Sequence, residues 1–217
     1  AEYTDKVQFH AQYYNNPNVG ENSAIPKECF QYYDKEWLKQ LGGLWHYKDR
    51  RLNIFAAMDF AYTTKKGSDY SSIVVVGIDC FNNHYVLDID RYKTGLIDVY
   101  YDHLLKMYNK WQFHKVIAEC TAAQEVIVND LKVNYIRPNG LTLTIDTYKP
   151  NRYEGAKYER IDATLRPRYT NGQMWHFCGG NIDLLEEELQ LVYPPHDDIK
   201  DALTTAVNAC IPPIDQR

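Results

Sequence analysis

The sequence predicts an α/β protein on a mixed sheet, with three antiparallel strands followed by parallel β-α units and helices on both faces. Three observations predict it. Residues 52–60, 72–79 and 85–92 are apolar or alternating runs rich in β-branched residues, joined by short connections as in an antiparallel meander. From residue 96 onward, segments of helical spacing alternate with short apolar segments. The chain has 217 residues, 45% hydrophobic and 24% charged, which is enough for one well-buried domain plus an appended segment.

Residues 1–45 read as a linker or arm. Asn15-Asn16-Pro17-Asn18 and Gly20-Glu21-Asn22-Ser23 are turn chemistry, set between short aromatic-rich pieces at 9–14 and 30–38. Such a segment needs a partner surface. Residues 46–217 form the domain proper. Its first strand, 52–60, is apolar and ends in an acid, Asp59. A polar loop, Thr63-Thr64-Lys65-Lys66-Gly67-Ser68-Asp69, leads to the second strand at 72–79. Asn82-Asn83 turns the chain into the third, 85–92, where Val86, Asp88 and Asp90 alternate with Leu87 and Ile89.

Residues 96–111 then carry Ile97, Tyr101, Leu104, Leu105 and Tyr108 on one helical face. A short buried strand at 116–119, a helix at 122–131 and a strand at 141–145 follow. Next come a helix at 157–165, a small strand at 174–177, and two closing helices at 182–191 and 199–209. Three antiparallel strands feeding parallel β-α units is the RNase H-like order. Pattern alone leaves a ferredoxin-like or other mixed α/β sheet open.

Bulk properties narrow the function classes. A formal net charge of −5 argues against a globally basic nucleic-acid binder, although a protein that chelates divalent cations spends carboxylates on them. The five cysteines include no C-x-x-C pair, which argues against a zinc site or a disulfide framework and fits a reducing compartment. No apolar run approaches a membrane span and no signal peptide opens the chain. The 19 tyrosines read first as strand and interface residues, and second as a nucleotide-stacking surface.

Three acidic positions sit where chemistry would want them. Asp59 closes the first buried strand, and Glu119 closes the fourth after Val116-Ile117-Ala118. Asp197-Asp198 opens the last helix, just after Pro194-Pro195-His196. In an RNase H-like sheet the first and fourth strands are neighbours, so their carboxylates lie side by side. Like charges held together raise each other's pKa unless a cation neutralises them, and hard divalent ions do so best. Ile199, Ala202, Leu203, Ala206 and Val207 make the apolar stripe of the last helix. Asp198 falls at its margin and Asp197 nearly opposite, which makes Asp198 the better ligand and Asp197 the better N-cap. An early bend would reverse them, so both stay in the set. Asp201, one turn on, reads as a solvated surface charge or an outer acid.

Taken in order, several segments resemble the C-terminal nuclease domain of the large terminase subunit of tailed bacteriophages. They are Met58-Asp59-Phe60, Gly67-Ser68-Asp69-Tyr70-Ser71-Ser72, Ala118-Glu119-Cys120, Lys157-Tyr158-Glu159-Arg160-Ile161, Pro167-Arg168-Tyr169-Thr170-Asn171-Gly172 and His196-Asp197-Asp198-Ile199-Lys200-Asp201-Ala202. Residues 9–17 also look like the segment that leaves the family's ATPase domain. The resemblance implies Mg²⁺- or Mn²⁺-dependent cleavage of concatemeric double-stranded DNA during genome packaging, with two ions at the site. It implies Asp59, Glu119 and Asp198 as catalytic residues, with Asp197 and Asp69 joining them around the metal. Its expected partners are DNA, an ATPase domain of the same polypeptide, the portal and the small terminase subunit, in the host cytoplasm and away from membranes.

One family feature is missing: no G-x-x-x-x-G-K-[ST] loop exists here, so the chain by itself is not expected to hydrolyse ATP. With Ala1 as its first residue, it reads as an excised domain or a stand-alone relative. Basic residues crowd one stretch, Lys149, Arg152, Lys157, Arg160, Arg166 and Arg168, interleaved with Tyr148, Tyr153 and Tyr158. Lys65, Lys66, Arg152, Lys157 and Arg160 are the expected phosphate contacts, which position a duplex without reading its sequence. A solvated helix face is the rival reading for Lys157 and Arg160. A resolvase or transposase-type nuclease shares the acids, and the N-terminal arm is what favours a terminase. A silent module that only docks DNA or portal is the rival from another class. A nuclease with an E-x-K arrangement is disfavoured, since Cys120-Thr121 follows Glu119.

Overall fold

The computed structural model describes residues 25–61, 70–121, 124–149 and 157–214. The amphipathic and apolar runs of the sequence become one seven-stranded sheet and one small three-stranded sheet. In chain order the strands are β1 (Gln31–Tyr32), β2 (Leu38–Leu41), β3 (Leu44–Tyr47), β4 (Arg50–Arg51), β5 (Asn53–Asp59), β6 (Ser71–Ile78) and β7 (His84–Tyr92). Helix α1 (Ile97–Trp111), β8 (Lys115–Glu119), α2 (Glu125–Asp130, continued as a π-helical turn over Leu131–Ile136) and β9 (Thr144–Tyr148) follow. The chain closes with α3 (Lys157–Thr170), β10 (Met174–His176), α4 (Ile182–Gln190) and α5 (Asp198–Ala209).

The large sheet has the order β1-β10-β7-β6-β5-β8-β9. β5, β6 and β7 form the antiparallel meander, and β8 then pairs parallel with β5 and β9 parallel with β8. The central strand β6 is buried along its whole length, because both faces are covered. Neighbouring residues of a strand point to opposite faces. Ser71 donates to the Tyr100 hydroxyl of α1, while Ser72 donates 2.8 Å to the Asp198 carbonyl of α5. The two helices therefore lie on opposite faces. Among the described residues no helix is long and apolar enough to cross a membrane.

Several elements differ from their sequence expectation. Helix α3 continues through Pro167 to Thr170, although a proline removes one helical hydrogen bond. Leu165 and Tyr169 are buried, and the Tyr169 hydroxyl meets His176 Nε2 at 2.7 Å, so tertiary packing outweighs the local cost. Strand β9 starts later than expected and runs on through Asp146, Thr147 and Tyr148. It is the edge of the sheet, where polar side chains can face water.

Residues 25–45, grouped by sequence with the arm, pack onto the domain. Ile25, Phe30 and Tyr33 join the core, and β1 adds a parallel edge strand to β10. The Tyr33 hydroxyl donates 2.9 Å to the Val86 carbonyl, and its ring lies edge-on to Tyr47 and Tyr85. The β2–β3 hairpin, absent from the sequence reading, turns on Gly42-Gly43 with φ of 58° and 79°. Two consecutive left-handed residues suit a tight hairpin, and glycine reaches that region without steric cost.

Candidate metal centre

The register of the sheet decides which side chains meet. Arg91 pairs with Ser72, Ser72 with Asp59, Asp59 with Glu119, and Glu119 with Tyr148. Directly paired residues share a face, so these five form one row across four strand pairs. Ser72 faces α5, and therefore so does the whole row. The expectation that Asp59 and Glu119 stand side by side is met at the level of strand register.

Helix α5 covers this row with its acidic first turn. Asp198 is buried, and its carboxylate accepts from Arg91 at 3.3 Å. Arg91 in turn stacks on Tyr70, 3.9 Å from the ring centroid, with Lys93 on the same ring at 4.1 Å. The seat of α5 is the end of α4. The Glu188 carboxylate accepts from the Lys200 backbone N–H at 2.8 Å, and the buried Lys200 ammonium donates to the carbonyls of Glu188 and Leu191. Together these fix the turn that carries Asp197, Asp198 and Asp201.

Asp201 is the main correction to the sequence reading. It is 3% exposed, not a solvated charge. Its carboxylate accepts 2.7 Å bonds from Arg160 and from Lys157. Asp197 stands at the N-cap position, yet its side chain makes no capping bond and is held at 3.0 Å by Lys157, while its backbone carbonyl accepts from the Asp201 N–H at 2.9 Å. Arg160 also grips both oxygens of Glu119, at 3.0 and 3.2 Å, and Thr205 donates to the same group at 3.3 Å.

Lys157 and Arg160, expected to meet DNA phosphate or water, thus serve as counter-charges to these acids, Arg160 from the interior and Lys157 from a half-exposed position. Two other members of the basic stretch are also paired: Lys149 with Glu125 at 2.6 Å, and Arg166 with Asp162 at 2.8 Å. Lys65, Lys66, Asp69 and Arg152 lie outside the described residues.

A cleft of about 340 Å³ opens over the cluster, lined by Asp59, Glu119, Asp197, Asp198, Asp201 and Lys157 among others. Burial, followed by the charges of Asp201, Glu119 and Asp198, pushes the Asp59 carboxyl well above the usual carboxylate range, against the pull of Lys157. Burial also raises Asp201, with Glu119 adding to it, to about 6, even though Lys157 and Arg160 favour its ionised form. Lys157 is held above its ordinary value: burial opposes its charge, but Asp201 and Asp197 outweigh that. Among the described residues, five carboxylates of the cleft therefore meet three cations, Arg91, Lys157 and Arg160. No hydrogen bond or ion pair among the described residues partners the Asp59 carboxylate.

The donor set is all oxygen, which is the chemistry of hard divalent cations. The residues present fit such an ion in kind and in charge. Among the described residues, however, no three His, Cys, Asp or Glu side chains already stand together ready to hold one. Arg160 and Lys157 occupy the carboxylates instead. The sequence reading named Asp201 as an outer acid or a solvated charge and left it out of the ligand set, although its three-residue spacing from Asp198 was an available signal. It missed Arg91, Thr205 and Ser72, whose part depends on sheet register and helix packing that no local spacing encodes.

The sheet order and the acids at the ends of its adjacent central strands define an RNase H-like fold. Solved structures that resemble the chain include nuclease domains of phage large terminases. The large terminase nuclease from thermophilic phage G20c superposes with a TM-score of 0.58 at 16% identity, covering 87% of this chain and 98% of that one. The same nuclease with bound magnesium gives 0.56 at 17%, covering 88% and 99%. The Thermus phage P74-26 large terminase nuclease domain gives 0.52 at 17%, covering 85% and 94%. At such identities the likeness is one of fold. No family model matches the chain, and no curated protein matches it.

Proposed function

We propose that the chain is a divalent-metal-dependent endonuclease that cuts double-stranded DNA, the cleaving part of a viral genome-packaging motor. The observation that carries this reading is the half-buried cluster of carboxylates where Asp59 and Glu119, adjacent in the sheet, meet the buried Asp198 and Asp201 from α5. Asp59, Glu119 and Asp198 are the catalytic set, with Asp201 joining them and Asp197 at the rim. Asp69 is a further candidate ligand from its loop. The fold shared with terminase nucleases, one of them solved with magnesium, supports the assignment.

When bound there, a pair of Mg²⁺ or Mn²⁺ ions supplies Lewis acidity and a water of lowered pKa at the scissile phosphate. The protein's own part is to hold the oxygens in place. β5 and β8 fix Asp59 and Glu119 on a rigid sheet, Arg91 orients Asp198, and Glu188 with Lys200 anchors the first turn of α5. Lys157, about half exposed at the cleft mouth, is the cation best placed to meet a phosphate entering it. Lys65, Lys66 and Arg152 are proposed backbone contacts alongside it, and Arg160 is the inner one.

An ATPase domain of the same polypeptide, the portal and the small terminase subunit are the proposed partners, in the host cytoplasm. The test is plasmid nicking by the wild type and Asp59→Ala with Mg²⁺, Mn²⁺ or EDTA. Cleavage by the wild type that needs the metal and disappears in the variant is expected. Cleavage that is absent, or insensitive to both EDTA and the substitution, overturns the proposal and leaves a DNA- or portal-docking module.

A further inference from the structure

We propose, on the reading of this cleft as a metal centre, that Arg160 is an internal stand-in for the cation: guanidinium and metal compete for Glu119 and Asp201. Both oxygens of Glu119 are taken by the guanidinium fork, at 3.0 and 3.2 Å, and one oxygen of Asp201 is taken by the same group at 2.7 Å. Lys157 takes the other oxygen of Asp201. The Arg160 side chain is only 9% exposed, so it is part of the interior and not a surface residue that happens to reach inward. It comes from α3, which packs against α5, so one helix carries the displaceable charge and the other carries the acids.

Charge counting shows why the two cations cannot simply coexist with a full metal load. Among the described residues, the five acids that line the cleft are offset by Arg91, Lys157 and Arg160, leaving a surplus of two negative charges. One divalent ion balances that surplus. A second would leave two positive charges in a half-buried cleft unless Arg160 and Lys157 turn out of it. With both turned out, the surplus is four and two divalent ions balance it.

A carboxylate oxygen can bridge a guanidinium and an ion, but a unit positive charge one carboxylate away repels a divalent ion. Screened as in water, that repulsion weakens binding roughly tenfold, and more in the interior. A released guanidinium is itself a bidentate partner for phosphate, so the group displaced by the metal becomes available to the DNA backbone.

The experiment is calorimetric titration of Mn²⁺ into the metal-stripped protein at pH 7.5, for the wild type, Arg160→Gln, Arg160→Lys and the control Arg166→Gln. Melting curves in EDTA and in Mn²⁺ are recorded for each. Arg160→Gln is expected to bind Mn²⁺ about tenfold more tightly than the wild type, yet to melt lower in EDTA, where Glu119 and Asp201 lose their counter-charge. Arg160→Lys, with one charge and no fork, falls between them, and Arg166→Gln matches the wild type. A merely structural arginine gives the opposite result, since disturbing the site weakens binding. Wild-type binding that is equalled or exceeded by neither Arg160 variant overturns this inference and leaves the metal centre standing. Absence of Mn²⁺ binding in the wild type and in both Arg160 variants overturns both.

Discussion

Asp201→Asn separates a metal site from an ordinary buried ion pair, because the two readings disagree about the sign of its effect. The Asp201 carboxyl is raised from 3.8 to about 6, chiefly by burial. A raised carboxyl favours folding fully below the unfolded value, and that contribution is lost as the pH climbs through about 6. Two units correspond to about 3 kcal/mol carried as strain by the ionised, metal-free protein at pH 8. Asparagine stays neutral at every pH. Arg160 and Lys157 keep Glu119 and Asp197 as partners after the change, so a gain of about 1–3 kcal/mol, or roughly 2–10 °C in Tm, is expected in EDTA at pH 8. At pH 4 the gain vanishes. In Mn²⁺ at a hundred times the wild-type Kd the order reverses, because the wild type gains about 2.7 kcal/mol that the variant cannot fully recover. Thermal melting in EDTA and in Mn²⁺ at both pH values reads all of this. A variant that melts below the wild type in EDTA at pH 8, or that gains as much from Mn²⁺, refutes the reasoning.

Other outcomes follow from the same structure. Asp59→Asn is expected to stabilise the metal-free protein above neutral pH while abolishing metal-dependent nicking, as read by melting and plasmid assays on one preparation. His84, the first residue of β7, is buried, its backbone N–H bonded to the Gln173 carbonyl just before β10, and burial, reinforced by Arg168, lowers its pKa from 6.5 to about 4. Its neutral form is the folded one, so about 3 kcal/mol of stability is lost as the pH falls from 6.5 to 4. A His84→Gln variant should show a correspondingly flatter denaturant midpoint over that range. Tyr33→Ala should cost about 3–5 kcal/mol and Tyr33→Phe about 1 kcal/mol, by urea denaturation, if residues 25–33 belong to the core as their burial indicates. Arg91→Met, which removes the Arg91–Asp198 ion pair, should reduce Mn²⁺ affinity while leaving the far-ultraviolet spectrum unchanged.

The architecture was legible because its signals are local. Ile73, Val74, Val75 and Val76 in succession demand a strand buried on both faces, and the short Asn82-Asn83 connection permits only an antiparallel partner. The same locality explains the misses. β1 is two residues long and has no pattern of its own; it exists because Gln31 and Tyr32 find an open edge on β10. The Gly42-Gly43 hairpin carried a readable signal, obscured by grouping it with the turn-rich residues 15–23 in one arm. Helix α3 runs through Pro167 because Leu165 and Tyr169 have a core to fill, which no propensity scale registers.

The acids show a sharper boundary between what spacing can and cannot reveal. Asp59 and Glu119 were found because each ends an apolar strand, and strand ends are visible in one dimension. On α5, reasoning from the apolar stripe assumed that the opposite face meets water. It placed Asp198 at the margin of the stripe and Asp197 nearly opposite, and Asp201, one turn on, was read as a solvated charge or an outer acid. The assumption fails because α5 has no solvent face over its first turns: every residue from Asp198 to Val207 is buried, with the sheet on one side and α3 and α4 on others. A helix buried all round that still carries acids must neutralise them internally, by cations of its own chain or by ions from solution. Arg160 and Lys157 do the first in this structure, and Asp59, which has no hydrogen-bond or ion-pair partner among the described residues, marks where the second is needed. The basic stretch that sequence reading assigned to DNA is therefore, at two of its positions, the inner counter-charge of the acidic cluster. Whether those two positions serve the acids permanently, or only until metal replaces them, is the difference the Arg160→Gln titration measures.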